Sequence, residues 1–367
     1  MTHLTTAIKG QAVVKAEENT EVIQVFTEFE EEYKALRNEV GLMDLSAAGK
    51  FKVSGEDHVE YMDSIISADI EFMDIEKVVF SLLIDSDAKA VDLIAIYKQE
   101  DYILIETTAS KRRDVLSILQ EFKIEDLDVL IEDVTEDLAI IAFEGPYAWR
   151  VGQSLVESDI TSLQFQSFFE TKWNEEEIIF ARIGVTGEYG YKVILPMQKS
   201  VELWNVILEK EDEDYKVLPV GQKAMHLAML EVRQPNIEVE ADHLSVLESS
   251  FEWLLNFEKE DYVGEDALRE LLEEDVSKRI VGFSSETQST ITAKDSIQIE
   301  DIVVGEVLQA VYNPIEERYF GLAVLDIDFA VSGLVLESVG KESSEKKVIQ
   351  TISSPYIVPK SWAIKMV

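Results

Sequence analysis

The chain has 367 residues, 46% of them hydrophobic, enough to bury a large core divided over two or three domains. Its 73 acidic residues against 33 basic ones leave a formal charge of −40, a field that repels phosphate backbones and anionic membranes and so argues against nucleic-acid or bilayer partners. Cysteine is absent, which excludes disulfides, thiolate nucleophiles and zinc–sulfur or iron–sulfur sites.

The stretch 11–26 reads as β-prone, and the glutamate-rich 26–42 that follows reads as a helix. A second helix is expected over 57–66. The runs 79–84, 91–97 and 102–107 are rich in β-branched residues and separated by turn formers, as in an antiparallel sheet. Helical periodicity returns over 110–122, 198–210 and 220–232. From Lys278 onward short β runs are broken by Gly, Asn-Pro and Ser-Gly, the signature of a separate all-β module, which places a boundary near residue 276. The resulting class is α+β, with no short internal repeat and no low-complexity segment. His3, His58, His226 and His243 show no metal-ligand spacing, so no metal is expected. No run offers the ~20 uninterrupted apolar residues of a membrane span, and a soluble cytoplasmic protein is the default.

Three carboxylates stand in positions that need explaining. Arg182-Ile183-Gly184-Val185-Thr186-Gly187-Glu188-Tyr189-Gly190-Tyr191 is a glycine-punctuated turn between two β-prone runs, and it presents one acidic side chain, Glu188. Taken by itself, a tight turn with a solvated glutamate is the plainer reading. Asp92 lies between apolar residues of a β run, where it is either a solvent-facing residue or a buried functional group. Glu231 sits among Met229, Leu230 and Val232 on an expected helix and reads on its own as an exposed helical glutamate.

Motif order adds a further reading. The turn resembles the T-G-Y-T-G-E-x-G-Y-E signature of the folate-dependent aminomethyltransferases, the T-protein family of glycine cleavage. Upstream, Glu32-Tyr33-Lys34-Ala35-Leu36-Arg37 is similar to that family's E-H-x-A-V-R, and Ala88-Lys89-Ala90-Val91-Asp92-Leu93-Ile94-Ala95-Ile96-Tyr97-Lys98 to G-G-I-I-D-D-L-I-V-Y-K. Phe143-Glu144-Gly145-Pro146, Leu230-Glu231, Ser245-Val246-Leu247-Glu248 and Tyr262-Val263-Gly264 continue the likeness in family order. It covers nearly the whole chain.

The resemblance implies two interwoven α+β subdomains over residues 1–275, forming a folate-binding core, and a C-terminal β-barrel over 276–367. It implies transfer of a one-carbon unit to tetrahydrofolate, or else a divergent relative that binds folate or a partner without turnover. Asp92 falls on the first of the family's paired aspartates and is the expected catalytic group; the second position is Leu93. Glu188 and Glu231 are expected to hold the pterin, because a carboxylate matches two adjacent N–H donors. Tyr189, Tyr191 and Trp253 are candidates for a stacking wall, and Arg233 for a cation facing the folate tail. The implied donor is a small one-carbon compound or an aminomethyl-lipoyl carrier protein. That carrier is typically acidic, so the −40 charge favours the small molecule.

Overall fold

A computed structural model of the protein describes residues 2–10, 12–17, 20–241, 244–287, 289–340 and 345–366. His243 and Gln11 therefore lie outside the described residues. The largest element is an eleven-stranded sheet. Its order runs Val217–Pro219, Val40–Asp44, Leu138–Glu144, Gly190–Pro196, Glu176–Arg182, Ser167–Trp173, then Lys77–Ile84, Ala90–Lys98, Tyr102–Glu106, Lys50–Ser54 and Leu130–Asp133. A single residue pair, Ser167 with Lys77, joins the two groups.

Each group is built from the same succession of a strand, a glycine turn, a short helix, a three-stranded meander, a longer helix and a closing strand. In the first, Lys50–Ser54 runs through Gly55 into the helix His58–Asp63, and Arg112–Glu121 follows the meander. In the second, Leu138–Glu144 runs through Gly145 into Ala148–Gln153, and Ser200–Leu208 follows the meander. The glycines are required. Both have positive φ, and a Cβ would come 2.1 Å from the Asp128 carbonyl oxygen at Gly55 and 2.3 Å from that of Glu39 at Gly145. The halves interweave because Val40–Asp44, which precedes the first half in the chain, pairs with Leu138–Glu144 of the second.

Strand alternation divides the side chains between two faces. Outer positions such as Ile94, Ile96, Ile103 and Ile105 pack with Met62, Val115 and Leu119 of the helices. In the other half Ile141, Phe143, Tyr191 and Val193 pack with Ala148, Val151, Leu203 and Trp204. Inner positions of both halves, including Ala95, Tyr97, Leu104, Ala181 and Ile194, share one cluster. The two halves thus meet face to face.

Above this seam lie the hairpin Val13–Glu17 and Thr20–Val25 and the packed helices Phe29–Asn38 and Gln222–Val232. The first helix is shorter than the expected 26–42 because residues 40–42 belong to a sheet strand. Gly41 lets that strand pass directly beneath the helix: a Cβ there would lie 2.5 Å from the Leu36 side chain. Tertiary packing overrides helix propensity at this point. The four other expected helices are present to within a few residues at their ends, and His3–Ile8, Ala148–Gln153, Ile237–Glu240 and Glu265–Leu272 are helical besides. From Lys278 a closed barrel forms, ordered Lys278–Ser285, Arg318–Asp326, Ile302–Asn313, Ser296–Ile299, Val335–Val339 and Lys346–Ile352. The last residues return to the α+β core.

Candidate functional site

A cavity of about 180 Å³ opens at the seam between the halves, beneath the Gln222–Val232 helix. Its size is close to that of the ~150 Å³ apolar cavity that accepts benzene, so it takes a one- or two-ring group. Ile23, Phe26, Phe80, Leu93 and Met229 form apolar walls, and Glu106, Lys192 and His226 bring polar groups to it. Burial pushes the His226 imidazole below the usual histidine range. Asp44 also reaches the cavity, but its carboxylate is engaged by the Thr5 hydroxyl at 2.6 Å and the Ser46 N–H at 2.9 Å.

Asp92, the expected catalytic group, is turned away from this space. On Ala90–Lys98 the residues facing the cavity are Leu93 and Ala95, and a period of two puts Asp92 on the opposite, helix-covered face. There its Oδ1 accepts the Thr108 hydroxyl at 2.7 Å and the Leu93 N–H at 2.9 Å, while Oδ2 accepts the Thr108 N–H at 2.8 Å. Burial raises its pKa to about 6, partly offset by those hydrogen bonds. Thr108 itself lines the cavity. Asp92 reaches the site only by positioning that residue.

The polar pair that does face the cavity comes from opposite halves. Lys192 Nζ donates to Glu106 Oε1 at 2.6 Å, and the Tyr97 hydroxyl donates to Glu106 Oε2 at 2.7 Å. Burial and the Glu106 carboxylate raise the Tyr97 pKa well above its ordinary value, so the phenol stays a donor. Sequence reasoning missed both Glu106 and Lys192. One signal was in view: the family signature ends in glutamate, and the residue after Tyr191 here is Lys192.

The matched glutamates serve the architecture. Glu231 is fully buried, and its carboxylate accepts Tyr33 Oη at 2.6 Å, Asn313 Nδ2 at 2.8 Å, and Arg37 Nε and Nη2 at 3.0 and 2.7 Å. Four donors fill its four lone-pair sites. Glu188 accepts the backbone N–H groups of Lys360 and Ser361 at 2.9 and 2.8 Å, capping the short C-terminal helix Lys360–Ala363, and lies 3.8 Å from Arg37. Arg37 also donates to the carbonyls of Thr186 and Ala228. One guanidinium thus binds helix, turn and both glutamates together. The turn takes its shape from Gly187 at φ +80° and from Gly190, where a Cβ would lie 2.6 Å from Gly184 Cα.

Of the remaining candidates, Tyr191 is buried against Phe143 and Phe180 on the outer face. Tyr189 lies under the Arg182 guanidinium, and its hydroxyl donates to the Ile364 carbonyl at 2.6 Å. Arg233 pairs with the buried Glu240 at 2.5 Å. Trp253 is 67% exposed and borders a shallow cleft beside the cavity, with Phe80, Leu93 and Gln234 common to both. The structure brings none of Asp92, Glu188, Glu231, Tyr189, Tyr191 or Arg233 to the cavity wall, and only Trp253 reaches its approach. Among the described residues no group of three or more His, Asp or Glu side chains is placed to hold a metal ion, and no helix is long and apolar enough to cross a membrane.

Comparison with known proteins gives a consistent result. The family described as the GCVT N-terminal domain matches residues 8–259. An aminomethyltransferase of Thermoanaerobacter sp. (strain X514) is 27% identical over 322 residues, covering 87% of this chain and 87% of that protein. One from Bacillus pumilus (strain SAFR-032) is 25% identical over 332 residues, covering 89% and 90%. The crystal structure of the glycine cleavage system aminomethyltransferase T of Bartonella henselae superposes with a TM-score of 0.85 over 96% of each chain, at 19% identity.

Proposed function

Because the chain belongs to the aminomethyltransferase family of the glycine cleavage T-protein, we propose that it transfers a one-carbon unit to tetrahydrofolate, whose ring system occupies the cavity between the two halves. The observation that carries this reading is a ring-sized, largely apolar cavity whose wall holds the Glu106 carboxylate paired with Lys192. That combination fits a flat heterocycle whose faces are apolar and whose edge carries N–H donors. Reduced folate supplies the secondary amine that takes up the one-carbon unit. Phe26, Phe80 and Leu93 shield the reacting atoms from water. His226, kept neutral by burial, is available in the wall to take the proton that this nitrogen releases on forming its new bond. Asp92 acts indirectly, fixing Thr108 through both carboxylate oxygens.

The donor is a small one-carbon compound or an aminomethyl-lipoyl carrier, with the small compound favoured at low ionic strength by the −40 charge. The test is incubation with tetrahydrofolate and, in separate arms, an aminomethyl-lipoyl carrier and methylated amines, reading the folate by mass spectrometry. A methylene adduct from the carrier, with release of ammonia and the free dihydrolipoyl thiol, or a methyl adduct from a methylated amine, with release of the demethylated amine, supports transfer. Binding without an adduct would leave a folate-binding protein without turnover, and failure to bind at millimolar tetrahydrofolate would reject the reading.

A further inference from the structure

The cavity contains a buried cation whose hydrogen bonding is incomplete. Lys192 is 3% exposed, and among the described residues its ammonium donates to one partner, Glu106. An ammonium has three N–H donors, so two remain. Glu106, 7% exposed, has accepted one hydrogen bond at each oxygen, which leaves about half of its lone-pair sites. Buried charges with unmet hydrogen-bonding capacity are costly, and both groups line the same space. Together they are neutral. An anionic ring would meet Glu106 and a cationic ring would meet Lys192, so the pair selects an uncharged head with donors and an acceptor side by side.

We propose that Glu106 and Lys192 jointly read a donor–donor–acceptor edge on a planar heterocycle, namely a 2-amino-4-oxo edge, with Glu106 accepting the ring N–H and amino hydrogens and Lys192 donating to the oxo oxygen. The proposal rests on the folate reading above and moves ligand recognition from Glu188 and Glu231 to a pair contributed by both halves. Tyr97 orients the carboxylate from behind. The specificity that follows concerns the oxo group: replacing it by an amino group sets a donor against an ammonium and turns the neighbouring ring N–H into an acceptor facing Glu106.

Equilibrium binding of tetrahydrofolate and of its 2,4-diamino analogue to the wild type and three variants tests this. The wild type is expected to prefer the 4-oxo compound by about 10-fold or more, and Lys192→Met to narrow that preference severalfold, the part due to the ring N–H at Glu106 remaining. Glu106→Gln should weaken both ligands by roughly 10- to 100-fold. Since Glu106→Gln leaves Lys192 without its partner, the double variant Glu106→Gln/Lys192→Met removes both charges; it should melt close to the wild type and still bind tetrahydrofolate at least about 10-fold more weakly. Wild-type binding that survives in the folded double variant within about threefold, or an unchanged oxo preference in Lys192→Met, overturns the proposal while leaving the folate reading intact. Absence of wild-type tetrahydrofolate binding overturns both.

Discussion

Lys192 Nζ lies 2.6 Å from Glu106 Oε1, although five strand-to-strand steps separate Gly190–Pro196 from Tyr102–Glu106 in the sheet. In a flat sheet those steps, at ~4.8 Å each, would hold the strands roughly 24 Å apart. The sheet instead rolls until the inner faces of its halves touch, and the ion pair spans the seam where the cavity opens. The ligand site is therefore a product of the interweaving, and residues on either half alone do not make it.

Removing a charge from the Arg37 node should cost stability and leave the cavity alone. In Glu231→Gln an amide N–H₂ faces the donors of Arg37, and the buried guanidinium loses its bidentate partner. About 3 kcal/mol of destabilisation is expected, at the lower end of what breaking a buried pair costs, because Glu188 remains nearby. Urea melts measure the loss, and tetrahydrofolate affinity at low temperature should stay within about threefold. An affinity loss of about 10-fold or more without destabilisation would return Glu231 to the binding site.

Glu188→Gln should loosen the C-terminus. The glutamine can accept from only one of the two amides now capped, which costs about 1 kcal/mol and exposes the N-terminus of Lys360–Ala363. Faster hydrogen exchange at the Lys360 and Ser361 amides, with the sheet unaffected, is the expected signature. Unchanged protection would show that the cap contributes nothing.

Asp92 makes a pH prediction. Its folded pKa, raised by burial to about 6, exceeds the unfolded value of ~3.9, so the stability linked to this group is fully present below about pH 4 and is lost as pH rises through about 6. A shift of roughly two units corresponds to about 3 kcal/mol. Asp92→Asn does not titrate. The stability difference, wild type minus variant, should therefore fall by up to that amount between about pH 4 and about pH 7, as read from denaturant melts. A difference independent of pH would mean that folding leaves the Asp92 pKa at its unfolded value.

The −40 charge predicts salt stabilisation. Raising ionic strength from ~0.1 to ~1 M shortens the Debye length from ~10 to ~3 Å and screens the self-repulsion of the folded chain. The melting temperature should rise in potassium chloride over this range. A flat or falling profile would limit the acidity to a role in solubility.

Much of the fold could be read in advance because β-branched runs such as 79–84 and 91–97, which fall within the strands Lys77–Ile84 and Ala90–Lys98, and the turn-broken pattern after Lys278 are local signals. The site was harder to read, for two physical reasons. The partners of the matched glutamates come from far along the chain: the amides that Glu188 caps are 172 and 173 residues away, and Arg37 is 194 residues from Glu231. A conspicuous carboxylate announces that it needs donors without saying whether a ligand or the protein provides them. Strand alternation did the rest. Asp92 and Tyr191 sit on the outer face, and their neighbours Leu93 and Lys192 face the cavity, so each reading was one residue from the wall. Glu106, the last residue of its strand, meets Lys192 only through the roll of the sheet, which no local pattern encodes.

The central claim, that reduced folate occupies the cavity at the seam, is tested most directly by equilibrium binding of tetrahydrofolate to the wild type and to Leu93→Trp, which fills the cavity from the Ala90–Lys98 strand. The account predicts saturable wild-type binding and at least a roughly 10-fold loss in the variant, with a melting temperature that shows the variant folded. Equal affinity in the two proteins would place the ligand elsewhere and contradict the account.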